Sequence, residues 1–158
     1  MKKFVVILLT LCLVFALTAC GGKTETNTNS TKTVDLPAVY AGFGLNSEDM
    51  LPLAETDLME YYGIDAASVK QFAGAVNLTG ISAEEIVLIE AVDVNAAAVV
   101  KTQLDARYDS KAAQMKDYLP DQYAIIEKCS VRVDGNFVAM IVSENAETYV
   151  AAYEAAIK

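Results

Sequence analysis

The feature that most constrains this chain lies at its start. Met1-Lys2-Lys3 is followed by an apolar run from Phe4 to Leu17 and then by Leu17-Thr18-Ala19-Cys20. Cationic, apolar, small is the order of a secretory signal, here cut before Cys20. The stretch from Phe4 to Ala19 falls short of the ~20 residues needed to cross a hydrocarbon core, so a spanning helix is the weaker reading. What the cut leaves must fold without disulfides. Cys12 departs with the signal and Cys20 becomes the new N-terminus, so Cys129 is the one thiol left to the folded part. A chain of this length then stands on a single modest apolar core.

Leu17-Thr18-Ala19-Cys20 resembles the lipobox of bacterial lipoproteins, in which a branched apolar residue and two small ones precede a cysteine that is acylated before cleavage. The resemblance implies lipid on Cys20. One acyl chain binds a bilayer only marginally whereas two anchor stably, so the expected location is the outer, extracytoplasmic face of a cell membrane. Gly21 to Thr33 carries no apolar side chain of any size and cannot offset the entropy of ordering. It reads as a flexible tether with a root-mean-square span of roughly 20 Å. The expected organisation is a signal peptide over residues 1–19, a lipidated cysteine and tether over 20–33, and one α+β domain over 34–158.

The formal charge is −9, and two of the lysines that moderate it, Lys2 and Lys3, leave with the signal. Nucleic acid and anionic lipid headgroups are therefore disfavoured partners, since both need basic patches that displace counterions.

Leu36, Val39, Tyr40 and Phe43 have helical spacing, with Pro37 tolerable in a first turn. Asn46 to Glu55 reads as an acidic loop interrupted by Pro52, and Thr56 to Tyr62 as a short helix stopped by Gly63. Val69 to Leu78 alternates, with Phe72, Val76 and Leu78 on one side and Gln71, Ala73, Ala75 and Asn77 on the other, as in a strand. Ile86 to Val92 predicts a central strand, although Ser82 to Glu85 also matches a helix capping box. Asp93 caps a long helix that Pro120 ends. Ile125 to Val133, Asp134-Gly135 and Phe137 to Val142 predict a hairpin, and an alanine-rich helix runs from Ser143 or Glu144 to Ile157.

After the N-terminal helices the order is strand, strand, helix, strand, strand, helix. Val92-Asp93-Val94-Asn95-Ala96 lies over Val142-Ser143-Glu144-Asn145-Ala146 at a shift of fifty positions. The expected fold is α+β: short N-terminal helices, then a duplicated ββα unit forming a four-stranded antiparallel sheet with helices on one face.

Tyr61-Tyr62-Gly63-Ile64-Asp65, the strand from Glu85 to Asp93 and Asp117-Tyr118-Leu119-Pro120, with the lipobox and tether, resemble an uncharacterised family of Gram-positive bacterial lipoproteins classed as a domain of unknown function. That resemblance implies secretion and a small α+β domain. It carries over no catalytic or binding residue.

The chain has no histidine, which removes the usual neutral-pH base, Ser-His and Cys-His nucleophile pairs and His-containing zinc sites. No cofactor and no metal is expected. Cys129, read as lying on a strand face with Ile125, Glu127, Val131 and Val133, is expected to be a buried, inert thiol. Glu84, Glu85, Glu90, Asp93, Asp117 and Asp121 keep a carboxylate-based hydrolase open.

Two surfaces are candidates for partner binding. Tyr118 and Tyr123 fall in a segment, Asp117 to Tyr123, read as a loop. Gln71, Asn77, Ser130 and Arg132 would line a sheet face left open by the helices. The expected function is a non-enzymatic binding or adaptor module at the cell envelope, with a protein or cell-wall partner. A small-ligand-binding lipoprotein is the alternative.

Overall fold

Val87, Ile89 and Ala91 point to one side of a strand while Ile86 and Leu88 point to the other, and all five are fully buried. A strand buried on both faces needs cover on both, and the fold is built around that requirement. A computed structural model describes residues 33–45 and 48–158; the expected signal peptide, Cys20 and the expected tether as far as residue 32 lie outside the described residues. In chain order the elements are α1 (Leu36–Ala41), β1 (Met50–Pro52), α2 (Glu55–Tyr62), a 3-10 turn (Ala66–Ser68), β2 (Val69–Asn77), β3 (Glu85–Ala91), α3 (Val94–Tyr118), α4 (Pro120–Ile126), β4 (Val131–Asp134), β5 (Phe137–Val142) and α5 (Ala146–Ile157).

The five strands form one sheet in the order β1-β2-β3-β5-β4, and every neighbouring pair is antiparallel. Gly74 permits the close approach of β2 to β3, because a Cβ there would lie 2.0 Å from the Ile86 carbonyl oxygen. On one face, Val87, Ile89, Val138 and Met140 pack against Leu58 of α2, Val100 and Leu104 of α3 and Ile126 of α4. On the other, Ile86, Leu88, Ala139 and Ile141 pack against Leu36 of α1 and Tyr149 and Tyr153 of α5. Thr33–Lys158 is one compact unit.

The α+β class and the antiparallel sheet agree with the sequence reading, and several finer expectations do not. The sheet has five strands rather than four. The extra one, β1, lies within the segment read as loop, and its Pro52 is tolerated because an edge strand can spare an N–H. Helices cover both faces rather than one, so the open platform expected around Gln71, Ala73 and Ala75 is covered by α1 and α5.

The duplication also fails on geometry. The rotation that exchanges antiparallel β3 and β5 has its axis normal to the sheet and keeps each face on its own side, whereas α3 and α5 pack on opposite faces. The fifty-residue shift shows the same fault: Ile89 faces α3 and Ala139 faces α5, as a one-residue slip in strand register requires.

Pro120 does not simply stop a helix. It occupies the first turn of α4, where its missing N–H would have had no partner. Residues 120–126 are therefore helical rather than loop and strand, and β4 begins only at Val131. Ser82 starts no helix; its Oγ accepts the Glu84 N–H at 3.2 Å just ahead of β3. Asp93 does cap α3, accepting the N–H groups of Asn95 and Ala96 at 2.9 Å each.

Candidate functional site

A two-residue loop joins β4 to β5, with Asp134 paired to Phe137 and Gly135 at φ +57°. No non-glycine residue described has a positive φ, so only the first central position is left-handed, the pattern of a type II′ turn. That turn sets the register in which Arg132 lies opposite Ala139, and hence on the face that carries α5. Tyr149 and Tyr153 fasten α5 to the core on its inner side.

Between α5 and the β4 edge runs a groove. Lys128, Cys129, Ser130, Ile141 and Val150 line one recess of about 280 Å³. Val133, Asp134, Ile157 and Lys158 line the next, of about 310 Å³. Arg132 and Glu154 stand at the boundary of the two, with Nη1 of the guanidinium 3.2 Å from the carboxylate Oε1. The second carboxylate oxygen is 3.1 Å from Lys158 Nζ. Both partners in the bridge are well exposed, and such pairs contribute about 0–1 kcal/mol, so either side chain can turn to a ligand at little cost.

Cys129 lies at the mouth of this groove in the turn after α4, not on a strand as expected. Its thiol donates to the Ile125 carbonyl at 3.3 Å, and burial pushes its pKa up. A protonated, hydrogen-bonded thiol is a poor nucleophile.

Of the residues singled out in the sequence, Ser130 and Arg132 come together in this groove and the others lie elsewhere. Gln71 is an internal bracket. Its Nε2 donates to the Val34 carbonyl at 2.8 Å and to Glu90 at 2.6 Å, while its Oε1 accepts the Leu36 N–H at 2.9 Å. Asn77 is buried at the end of β2, where its Oδ1 accepts the Thr79 N–H at 3.0 Å. Tyr118 ends α3 at 85 % exposure. Tyr123 belongs to α4 and packs on the α3 side of the core, with the Lys116 ammonium 6.0 Å from its ring centroid.

A charged cluster that the sequence reading missed lies beneath α3. Glu85 is fully buried. Arg107 meets it with two parallel bonds, Nε at 2.9 Å and Nη2 at 3.0 Å. Lys111, itself buried, places Nζ 2.7 Å from the second carboxylate oxygen and 3.1 Å from the Ala83 carbonyl. Burial alone would raise the Glu85 pKa; the hydrogen bonds and charges of Arg107 and Lys111 outweigh it and hold the carboxyl below its ordinary range. The Tyr62 ring lies 5.7 Å from the Arg107 guanidinium carbon, and its hydroxyl is buried beside the Glu85 carboxylate. A signal was present: Arg107 and Lys111 are four residues apart, and Lys111 falls on the apolar stripe between Leu104 and Met115. A lysine at such a position needs a buried partner.

The remaining carboxylates are mostly occupied. Glu90 is bound by Lys70, Gln71 and Asn136, Asp93 caps α3, and Glu84 accepts the Ser143 hydroxyl at 2.9 Å. Ser143 and Glu144 help to line a further cleft of about 480 Å³ at the start of α5. Among the described residues no group of three or more Cys, Asp or Glu side chains could hold a metal ion, and no helix is long and apolar enough to cross a membrane.

No curated protein and no solved structure matches this chain. A family model does match, that of a domain of unknown function, DUF4358, over residues 44–143. The matched span contains all five strands with α2, α3 and α4, and it stops at Ser143, ahead of α5. It covers well over half of the sequence, and the chain therefore belongs to the DUF4358 family of domains of unknown function.

Proposed function

We propose that this protein is a lipid-anchored, extracytoplasmic binding module of the cell envelope, non-enzymatic, that engages a protein or cell-wall partner along the groove between α5 and β4. The observation that carries the binding role is that groove: two adjoining recesses beside an exposed edge strand, separated by an ion pair weak enough to be exchanged. The anchor is supported by Leu17-Thr18-Ala19-Cys20 behind its apolar run, and the reach by the polar tether from Gly21 to Thr33.

The test is in-cell crosslinking of the full chain, followed by mass spectrometry, with Arg132→Glu and Cys20→Ala run alongside. A partner enriched by the natural chain and lost with Arg132→Glu supports the groove. Equal capture by both sinks it. Cys20→Ala should release the chain from membranes, and retention would remove the anchoring half of the reading.

A second reading, a small-ligand receptor, is favoured by the cleft of about 480 Å³ lined by Ile125, Lys128, Ser143 and Asn145, a size within the range of ligand pockets. A ligand that raises the melting temperature of the natural chain but not of Ser143→Ala would move the site there.

A further inference from the structure

Both edges of the sheet offer unpaired backbone, and they differ. The β1 edge contains Pro52, which has no N–H to give. No strand among the described residues pairs with the outer edge of β4, and Arg132, Val133 and Asp134 are all exposed along it. We infer that β4 pairs antiparallel with β4 of a second copy of this chain, about a two-fold axis that passes beside Val133.

The hydrogen-bonding phase permits this. In a type II′ turn Asp134 directs its C=O at the Phe137 N–H, so its backbone faces β5. Alternation then turns the N–H and C=O of Val133 and Val131 outward. Two outward-facing Val133 residues set opposite each other exchange both bonds, as a hydrogen-bonded antiparallel pair does.

Charge selects the register. With Val133 opposite its counterpart, Arg132 lies opposite the second copy's Asp134, and Asp134 opposite the second copy's Arg132, which makes two cross-strand ion pairs on the α5 face. A shift that centres Arg132 instead would oppose two guanidinium groups. Arg132 is tied only to exposed Glu154, and Asp134 has no ion-pair partner among the described residues. On the α3 face the pairing also covers Val133, which is 47 % exposed.

The axis is normal to the sheet, so the faces that carry α1 lie on the same side in both copies. A four-residue edge buries less than the roughly 1,200 Å² of a stable dimer. Association is therefore weak in dilute solution and accumulates where chains are crowded. Crowding by lipid on Cys20 rests on the anchoring reading; the register does not.

The experiment uses the full chain in vesicles, labelled with donor or acceptor dye at the C-terminus, and reads energy transfer between chains. R132D makes each β4 edge carry two carboxylates, and D134R makes it carry two guanidinium groups. Each variant alone should associate about tenfold more weakly than the natural chain, with four like charges facing across the axis. A mixture of R132D donor with D134R acceptor should regain transfer, because the two edges complement each other. The inference is overturned if the natural chain shows no transfer, if either variant alone matches it, or if the mixture stays at the level of the separate variants. Because recovery in the mixture requires both variants to be folded, failure to fold cannot imitate success, and melting curves of each variant separate misfolding from lost pairing.

Discussion

Glu85→Gln tests the physical account of the core most directly. The natural carboxylate is fully buried and accepts three charge-assisted bonds, two from Arg107 at 2.9 and 3.0 Å and one from Lys111 at 2.7 Å. The amide keeps the shape but removes the counter-charge, which leaves the buried Lys111 ammonium and the half-buried Arg107 without compensation. Removing one partner from a buried ion pair costs about 3–5 kcal/mol. At about 4 °C per kcal/mol for a domain of this size, the melting temperature should fall by roughly 10–20 °C. Urea denaturation of residues 33–158 reads the loss directly. Lys111→Met added to Glu85→Gln should recover part of it, since it removes an uncompensated charge, whereas Lys111→Met alone should destabilise. The pH dependence has a definite sign. Because Glu85 has a folded pKa below its unfolded value, its contribution is complete above about pH 5. It is lost as pH falls through the folded value, and Glu85→Gln should flatten that acid limb. A loss below about 1 kcal/mol, or strict additivity of the two substitutions, would show that the cluster behaves as solvated surface charge and would refute the reasoning.

Gly74→Ala should cost about 3 kcal/mol by overpacking, because its Cβ would sit 2.0 Å from the Ile86 carbonyl oxygen; a shift in the urea midpoint measures it. Gln71→Ala removes the three hydrogen bonds that hold Val34, Leu36 and Glu90. Hydrogen exchange should quicken across α1 while β3 stays protected, and unchanged exchange in α1 would discount the bracket. Arg132→Glu should leave stability within about 1 kcal/mol, since its ion pair is exposed, so any lost binding reports the surface along β4 and not the fold.

Much of the local structure was legible before the fold. The Asp93 cap, the stop at Gly63, and the faces of β2 with Phe72 and Val76 opposed to Gln71 and Ala73 all follow from rules that act over a few residues; the turn expected at Asp134-Gly135 is centred one residue later, on Gly135-Asn136, with Asp134 still in β4. One long-range property was legible and went unread. Ile86-Val87-Leu88-Ile89 contains no polar alternation, which already marks a strand buried on both faces and so excludes an open platform. Ser130 and Arg132 come together in the candidate groove because the β4–β5 register turns Arg132 to the side that carries α5, not because that sheet face is open.

What the sequence by itself determined is the start of α3 at Asp93, the stop of α2 at Gly63 and the alternating faces of β2, because caps and periodicity are satisfied by neighbours along the chain. It also carries Leu17-Thr18-Ala19-Cys20 behind an apolar run, on which the proposal of an anchor rests. Only the tertiary structure decided that β1 is a strand, since three residues of edge become one by pairing with Ala75, Val76 and Asn77. The same holds for the opposite placement of α3 and α5, because an amphipathic helix specifies that it must cover a sheet but not which face. And only the fold brought Glu85 to Arg107 and Lys111, because a buried charge is tolerated through partners that no local pattern supplies.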